Sequence, residues 1–320
     1  MHNWLKSSIF WLALALCGAV FIALSVGSQT INLWTVLLAQ NSTLYAIVMD
    51  IRLPRIINAI TVGALLSIAG LMIQNLVKNP LADPYILGIS GASASVQLAL
   101  IASGIVLPFW LFGIIGFFAA MASLLLLLLI TARKTRSSAT LLLTGVVMAF
   151  AYGAIISLLL TISPASSTKP MLFWLMGDLS HANLSYFPIL FLLAGSLWAF
   201  AYHKELDILA RGEFFAQKTG VDTKKINLLI LFTAAIFTAI AVSIAGTIGF
   251  VGLVVPHLAR LLVGNNHARL IPLAAVIGAL LLLIADTLAR TVLSPIQLPV
   301  GVFTALFGVP VFIYLLGKNA

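Results

Sequence analysis

An all-α, polytopic membrane protein with about ten transmembrane helices is the fold class that this sequence predicts. Three observations lead there. Of 320 residues, 62% are hydrophobic and only 8% charged, whereas ordinary soluble domains carry about 25% charged residues. Apolar runs close to the length of one bilayer crossing, roughly 20 residues, recur along the whole chain between short polar, Gly or Pro interruptions. The basic residues gather in alternate connections, as the positive-inside rule requires.

The first apolar run, near 7–28, is longer than the core of a signal peptide and precedes no small-residue cleavage pattern, so it reads as a retained first span over 8–28. Further spans are expected at 56–77, 90–107, 109–132, 139–162, 184–202, 226–245, 248–264, 270–292 and 300–316. The seventh and eighth form one apolar stretch interrupted by Gly246, Gly249, Gly252 and Pro256. A broken helix in a membrane is tolerated only where protein or a cavity satisfies the freed backbone, so this stretch should face protein or a pathway. The chain therefore reads as a single membrane domain over 1–320.

Orientation follows from the 17 Lys and Arg residues. With a cytoplasmic N-terminus thirteen lie inside, leaving Arg52, Arg55, Lys169 and Arg290 outside. An even number of spans then places both termini in the cytoplasm.

The formal charge of +9 does not indicate nucleic acid, because its basic residues sit between apolar runs. Cys17 is the single cysteine, so no disulfide can form within the chain, and it reads as a small hydrophobe. The five histidines show no paired ligand spacing, no acidic cluster joins them, and no Walker-type phosphate loop occurs. No cofactor, metal or catalytic group is expected, and an ATPase, if one drives transport, is another chain.

The longest polar segment, 203–225, holds Glu205, Asp207, Glu213 and Asp222, half of the eight acidic residues. Leu206, Ile208, Leu209, Phe214 and Phe215 alternate with the charges and predict short amphipathic helices that need another surface. A partner-binding element is the expectation.

Arg52 and Arg55 flank Pro54 at the start of the second span, and Arg290 closes the ninth. Two readings stand: snorkelling to the interface, or contact with acidic groups of an external partner. Asp286 lies four residues before Arg290, so one helical turn predicts a local pair. Buried carboxylates and related halves would mark an ion-gradient carrier, and neither is evident. Gly63 with Ser67, and Ala149 with Gly153, have the spacing that lets helix backbones approach closely.

Eight motifs in one order then resemble the permeases of cobalamin and ferric-siderophore uptake, a class of binding-protein-dependent ABC importers. They are RLPR at 52–55, NPLADPYILGISGA at 79–92, LLLTGV at 141–146, FWLMG at 173–177, ARGEFFAQKTG at 210–220, GFVGLVVPHLAR at 249–260, ADTLAR at 285–290 and LPVGVFTALFGVPVFIYLL at 298–316. The resemblance implies a type II ABC importer permease in a bacterial inner membrane. It implies a homodimer in lipid, served by two cytoplasmic ATPase subunits and a periplasmic or lipid-anchored binding protein. It further implies that Arg52, Arg55 and Arg290 receive acids of the binding protein. Ala210, Gly212, Glu213, Ala216 and Gly220 resemble coupling helices that rest on the ATPase. Asn79, Leu81, Ser137 and Ser138 resemble the inner constriction of the pathway.

Overall fold

The computed structural model describes residues 2–27, 30–32, 34, 36, 43–132, 138–180 and 186–319, and among them the regular structure is helical throughout. The helices are α1 (His2–Ser25), α2 (Leu53–Val77), α3 (Ile89–Ala102), α4 (Phe109–Ala132), α5 (Ser138–Ile162), α6 (Ala165–Leu175) and α7 (Phe187–Ala201). They continue as α8 (His203–Ala210), α9 (Glu213–Lys218), α10 (Thr223–Ala245), α11 (Val251–Val263), α12 (His267–Thr291) and α13 (Val300–Asn319). Short helical turns at Thr43–Ala46 and Ile47–Arg52 run directly into α2. Each expected span has a helix; five are long and apolar enough to cross a membrane and five are shorter apolar helices.

The bundle is organised around α2. It is apolar on every side, and 89% of its most apolar window is buried, compared with 11% for α5. A helix without a polar face is stable only where protein surrounds it or lipid covers it. Here α12, α10 and α11 surround α2, whereas α5 turns most of its surface outward. Glycines set the distance between these helices. A Cβ on Gly63 would lie 2.2 Å from the carbonyl oxygen of Gly278 on α12, and one on Gly70 would lie 1.9 Å from that of Gly252 on α11. The small-residue expectation therefore holds for Gly63 and Ser67; Gly153 has open space around it within the chain.

The broken stretch between α10 and α11 does face protein. Gly246 ends α10 at φ +66°. Thr247 N–H donates to the Trp174 carbonyl at 3.2 Å, and Asp178 N–H donates to the Ala245 carbonyl at 2.8 Å. The Tyr85 hydroxyl donates to the Ile248 carbonyl at 3.0 Å and accepts from its N–H at 2.9 Å. Val300 and Gly301 donate to the carbonyls of Gly177 and Met176 at 3.0 and 2.9 Å. The end of α6, the α10–α11 break and the start of α13 thus satisfy one another's free backbone groups, which no lipid could do.

One expectation is corrected. The stretch between the expected spans 139–162 and 184–202 reads as a connection, yet Ala165–Leu175 there form α6, with Pro170 inside the helix. Eleven residues are too few to cross a bilayer, so the apolar-run criterion passes over this helix. The helix is held by burial of Met171 and Trp174 and by a 3.1 Å bond from Trp174 Nε1 to Gln97 on α3.

Candidate functional site

Three arginines and one aspartate converge at the end of the bundle where α2 begins and α12 ends. Arg55 Nε donates to Asp286 Oδ1 at 2.8 Å, and its Nη1 donates to Gln297 Oε1 at 3.0 Å. Arg290 Nε lies 3.4 Å from Asp286 Oδ2, an ion pair without hydrogen-bond geometry. Its Nη2 donates to the Ala23 carbonyl of α1 at 2.9 Å. Arg52 Nη1 donates to the Leu24 carbonyl at 2.5 Å. Gly27 leaves room for that contact, since a Cβ there would lie 2.7 Å from Arg52 Nη2.

This arrangement changes two sequence readings. The local pair of Asp286 with Arg290 exists, but the closer partner is Arg55 from another helix. Asp286 is wholly buried, and a carboxylate there is stable only when countercharge and hydrogen bonds replace its water. Snorkelling is also set aside, because Arg52, Arg55 and Arg290 are only 5–6% exposed and point into protein. The last turn of α1 receives Arg52 and Arg290.

At the opposite end, α8 and α9 form the expected short amphipathic helices. Leu206 and Leu209 are spent within the chain, buried against the bundle. Phe214 and Phe215 are exposed, at 71% and 43%, beside exposed Ala210 and Glu213. Gly212 at φ +132° and Gly220 at φ +84° bound α9, in backbone conformations that other residues rarely adopt. A Cβ added at either glycine would meet nothing within 4 Å. Ala216 departs from the expectation of a partner-facing small residue: it is fully buried, and its carbonyl accepts from Val221 N–H at 3.0 Å. Asp222 caps α10 by accepting from Lys225 N–H at 3.1 Å.

Asn79 and Leu81 are exposed in the connection after α2, where Asn79 Oδ1 accepts from Leu81 N–H at 2.9 Å. Ser137 lies outside the described residues, as does the side chain of Ser138, although its backbone opens α5. Asp83 follows in the same connection and accepts from Tyr85 N–H at 2.8 Å. Burial pushes the Asp83 carboxyl up to about 6, against the opposing effect of that hydrogen bond.

A cavity of about 500 Å³ lies between α3, α4 and α6, with Phe109, Phe112, Phe173 and Trp174 among its walls and Lys169 and Asp178 contributing charge. Among the described residues no group of three or more His, Cys, Asp or Glu could hold a metal ion.

Sequence reasoning missed the contacts that cross the fold. Arg55 and Asp286 are separated by 231 positions, and Asp207 and His267 by 60. Only the charge of Arg55 and Asp286 within apolar surroundings could have drawn attention to the first pair; the second had no signal in the sequence.

Known proteins agree with this architecture. A solved inward-facing ABC transporter assigned to the metal-chelate type superposes with a TM-score of 0.87 at 30% identity, over 98% of this chain and 99% of that one. A cobalamin import system permease protein, BtuC, of Halobacterium salinarum is 40% identical over 86% of this chain and 74% of its own length. The hemin transport system permease protein HmuU of Yersinia pestis is 37% identical over 96% and 93%. The Fe(3+) dicitrate transport system permease protein FecD of Escherichia coli is 35% identical over 96% and 97%. The model of the FecCD transport family matches residues 14–318, and with relatives this similar over nearly their whole lengths, the chain belongs to that family of ABC transporter permeases.

Proposed function

We propose that this single membrane domain forms half of a homodimeric pathway in the bacterial inner membrane, through which an ATP-driven importer carries a ferric siderophore or a related chelate such as haem or cobalamin. The observation that carries this reading is the α8–α9 pair. Its Leu206 and Leu209 fix it to the bundle, while Phe214 and Phe215 stay in the open. A rigidly held, exposed aromatic face of this kind suits a protein partner. Two ATPase subunits, one on each permease copy, are the proposed occupants, and the permease itself makes no covalent change in its cargo.

With both termini cytoplasmic, α8 and α9 face the ATPases and the arginine cluster faces the binding protein. Docking there has a physical route despite the bonds to α1. Arg52 and Arg290 now bond to neutral carbonyls of Leu24 and Ala23. A carboxylate from the partner adds ion-pair attraction that a neutral carbonyl lacks, and so competes for both guanidinium groups. Asn79 and Leu81, with Ser137 and Ser138, are proposed to narrow the cytoplasmic mouth. Closure of the ATPases would shift the two permease copies and alternate access to the pathway. The involvement of Asp286 with Arg55 argues against a proton-coupled carrier, which needs a carboxylate free to titrate.

Reconstitution tests this reading. Permease, ATPase and binding protein in proteoliposomes should accumulate a ferric chelate only with ATP inside the ATPase compartment. Uptake driven by an imposed proton or sodium gradient without ATP would overturn it.

A further inference from the structure

We infer that Asp207 is a positioning residue for transport: it hands movement of α8 and α9 to α12, so that α8, α2 and α12 move as one body from one end of the chain to the other. The inference rests on reading α8 and α9 as the ATPase contact.

The contact is built from the side chain of Asp207 and both the main and side chain of His267. Asp207 Oδ1, on α8, accepts from the His267 backbone N–H at 2.8 Å and meets His267 Nδ1 at 2.6 Å. His267 opens α12 and is only 3% exposed. An ionised carboxylate can only accept, so Nδ1 carries the ring proton. The backbone N–H is one of those that a helix start leaves without a partner inside the helix, and a negative side chain there also meets the positive end of the helix dipole. Asp207 therefore grips the end of α12 in a defined direction.

The other flank of α8 is fastened to α2. Asn75 Nδ2, in the last turn of α2, donates to the Leu206 carbonyl at 3.3 Å, and both residues are buried. One short helix thus holds the near ends of two long ones. Midway along, Gly63 meets Gly278 so closely that a Cβ on Gly278 would lie 1.8 Å from Ser67 Oγ, which leaves no room for the helices to slide. At their far ends Arg55 joins Asp286 at 2.8 Å. Each helix has 25 residues, which is about 37 Å of rise. The pair is pinned at both ends and the middle, and α8 ties it to the exposed aromatic face through Asp207 on the α12 side and the Leu206 carbonyl on the α2 side.

The complete complex in proteoliposomes tests this. Asp207→Ala removes both contacts to His267. The variant is expected to keep its ATPase subunits and its binding protein, while stimulation of ATP hydrolysis by loaded binding protein, and uptake of a ferric chelate probe, fall by about tenfold. Asp207→Asn retains an acceptor oxygen in the same place and should recover most of both rates. Normal stimulation in Asp207→Ala, or loss of the ATPase subunits from an inserted variant, overturns the inference. If Asp207→Ala does not insert, His267→Ala decides, because it keeps the backbone contact and removes the ring: an intermediate stimulated rate supports the link and a wild-type rate refutes it. Gly212→Trp and Gly220→Trp leave this contact untouched and test the ATPase face separately. Normal coupling in both would end that reading; uncoupling in both, with Asp207→Ala normal, would end only the inference about Asp207.

Discussion

Arg55 and Asp286 meet at 2.8 Å in the interior of the protein, and the carboxylate of Asp286 has no exposed surface. Removing one member of such a buried pair leaves the other charge uncompensated, at a cost of about 3–5 kcal/mol. Asp286→Ala is therefore expected to lower the apparent melting temperature in detergent sharply. Asp286→Asn keeps an acceptor for Arg55 and should do less harm. A double change, Arg55→Met with Asp286→Leu, should recover part of the stability that Asp286→Ala loses, since Arg290 alone is then left without its carboxylate; melting curves of the three variants check the order.

Charge reversal probes docking. Arg52→Glu and Arg290→Glu are expected to weaken binding-protein association and uptake, because like charges would then face acidic lobes. Alanine at Arg52 removes the attraction without adding a repelling charge, so it should be milder than glutamate. An acid-to-Lys change on the binding protein should partly restore the Arg52→Glu variant. Binding measured at low and high salt completes the check, since added salt should relieve the repulsion.

Side-chain bulk probes coupling. A Cβ on Gly212 or Gly220 would meet no other part of the chain within 4 Å, so under the coupling reading the bulk of a tryptophan there is directed at the partner. Both sites have positive φ, and the helix boundary will be strained as well. Gly212→Ala separates the two effects: it carries the strain with little bulk, and should keep far more substrate-stimulated ATP hydrolysis than Gly212→Trp. Equal rates in these variants would leave no partner at that position.

The Asp83 carboxyl, raised to about 6 by burial, gives a pH signature. A carboxyl whose folded value lies above its unfolded value favours folding in its protonated form. Its contribution is full below about 4 and is lost as pH rises through about 6. Asp83→Asn should therefore flatten the fall in melting temperature between pH 4.5 and 7.5, while retaining the acceptor for Tyr85 N–H. An unchanged slope in Asp83→Asn would assign the pH response to other groups.

Accessibility to an impermeant thiol reagent checks orientation. In a chain with Cys17→Ser, cysteine at exposed Lys169 should label in intact cells, and cysteine at exposed Phe214 should label only after permeabilisation. The reverse pattern would invert the orientation.

Much of the fold was legible because lipid imposes a length and a composition on every crossing. The helices from α1 to α13 that cover the ten expected spans follow from apolar runs, and α8 and α9 from the alternation of Leu206, Leu209 and Phe214 with charge. What stayed hidden had no local signature. α6 is short, polar at its start and contains Pro170, so it resembles a loop. Asp286 pointed to Arg290 by spacing, yet its better partner Arg55 comes from a helix whose placement only packing determines. Ala216 looked like a partner contact through the resemblance of its motif; its burial depends on how α9 folds back toward Val221. Local periodicity reports which face is apolar, and says nothing of which neighbour will cover it.

The mutual hydrogen bonding at the end of α6 has a mechanical consequence. Carbonyls of Trp174, Met176 and Gly177 hold the N–H groups of Thr247, Gly301 and Val300, and Asp178 returns a bond to Ala245. A hinge at this place would have to break several backbone bonds at once. The short helix is accordingly a keystone and not a flap: whatever displaces it drags the breaks on either side along, and it can yield only when three separate stretches of chain yield together.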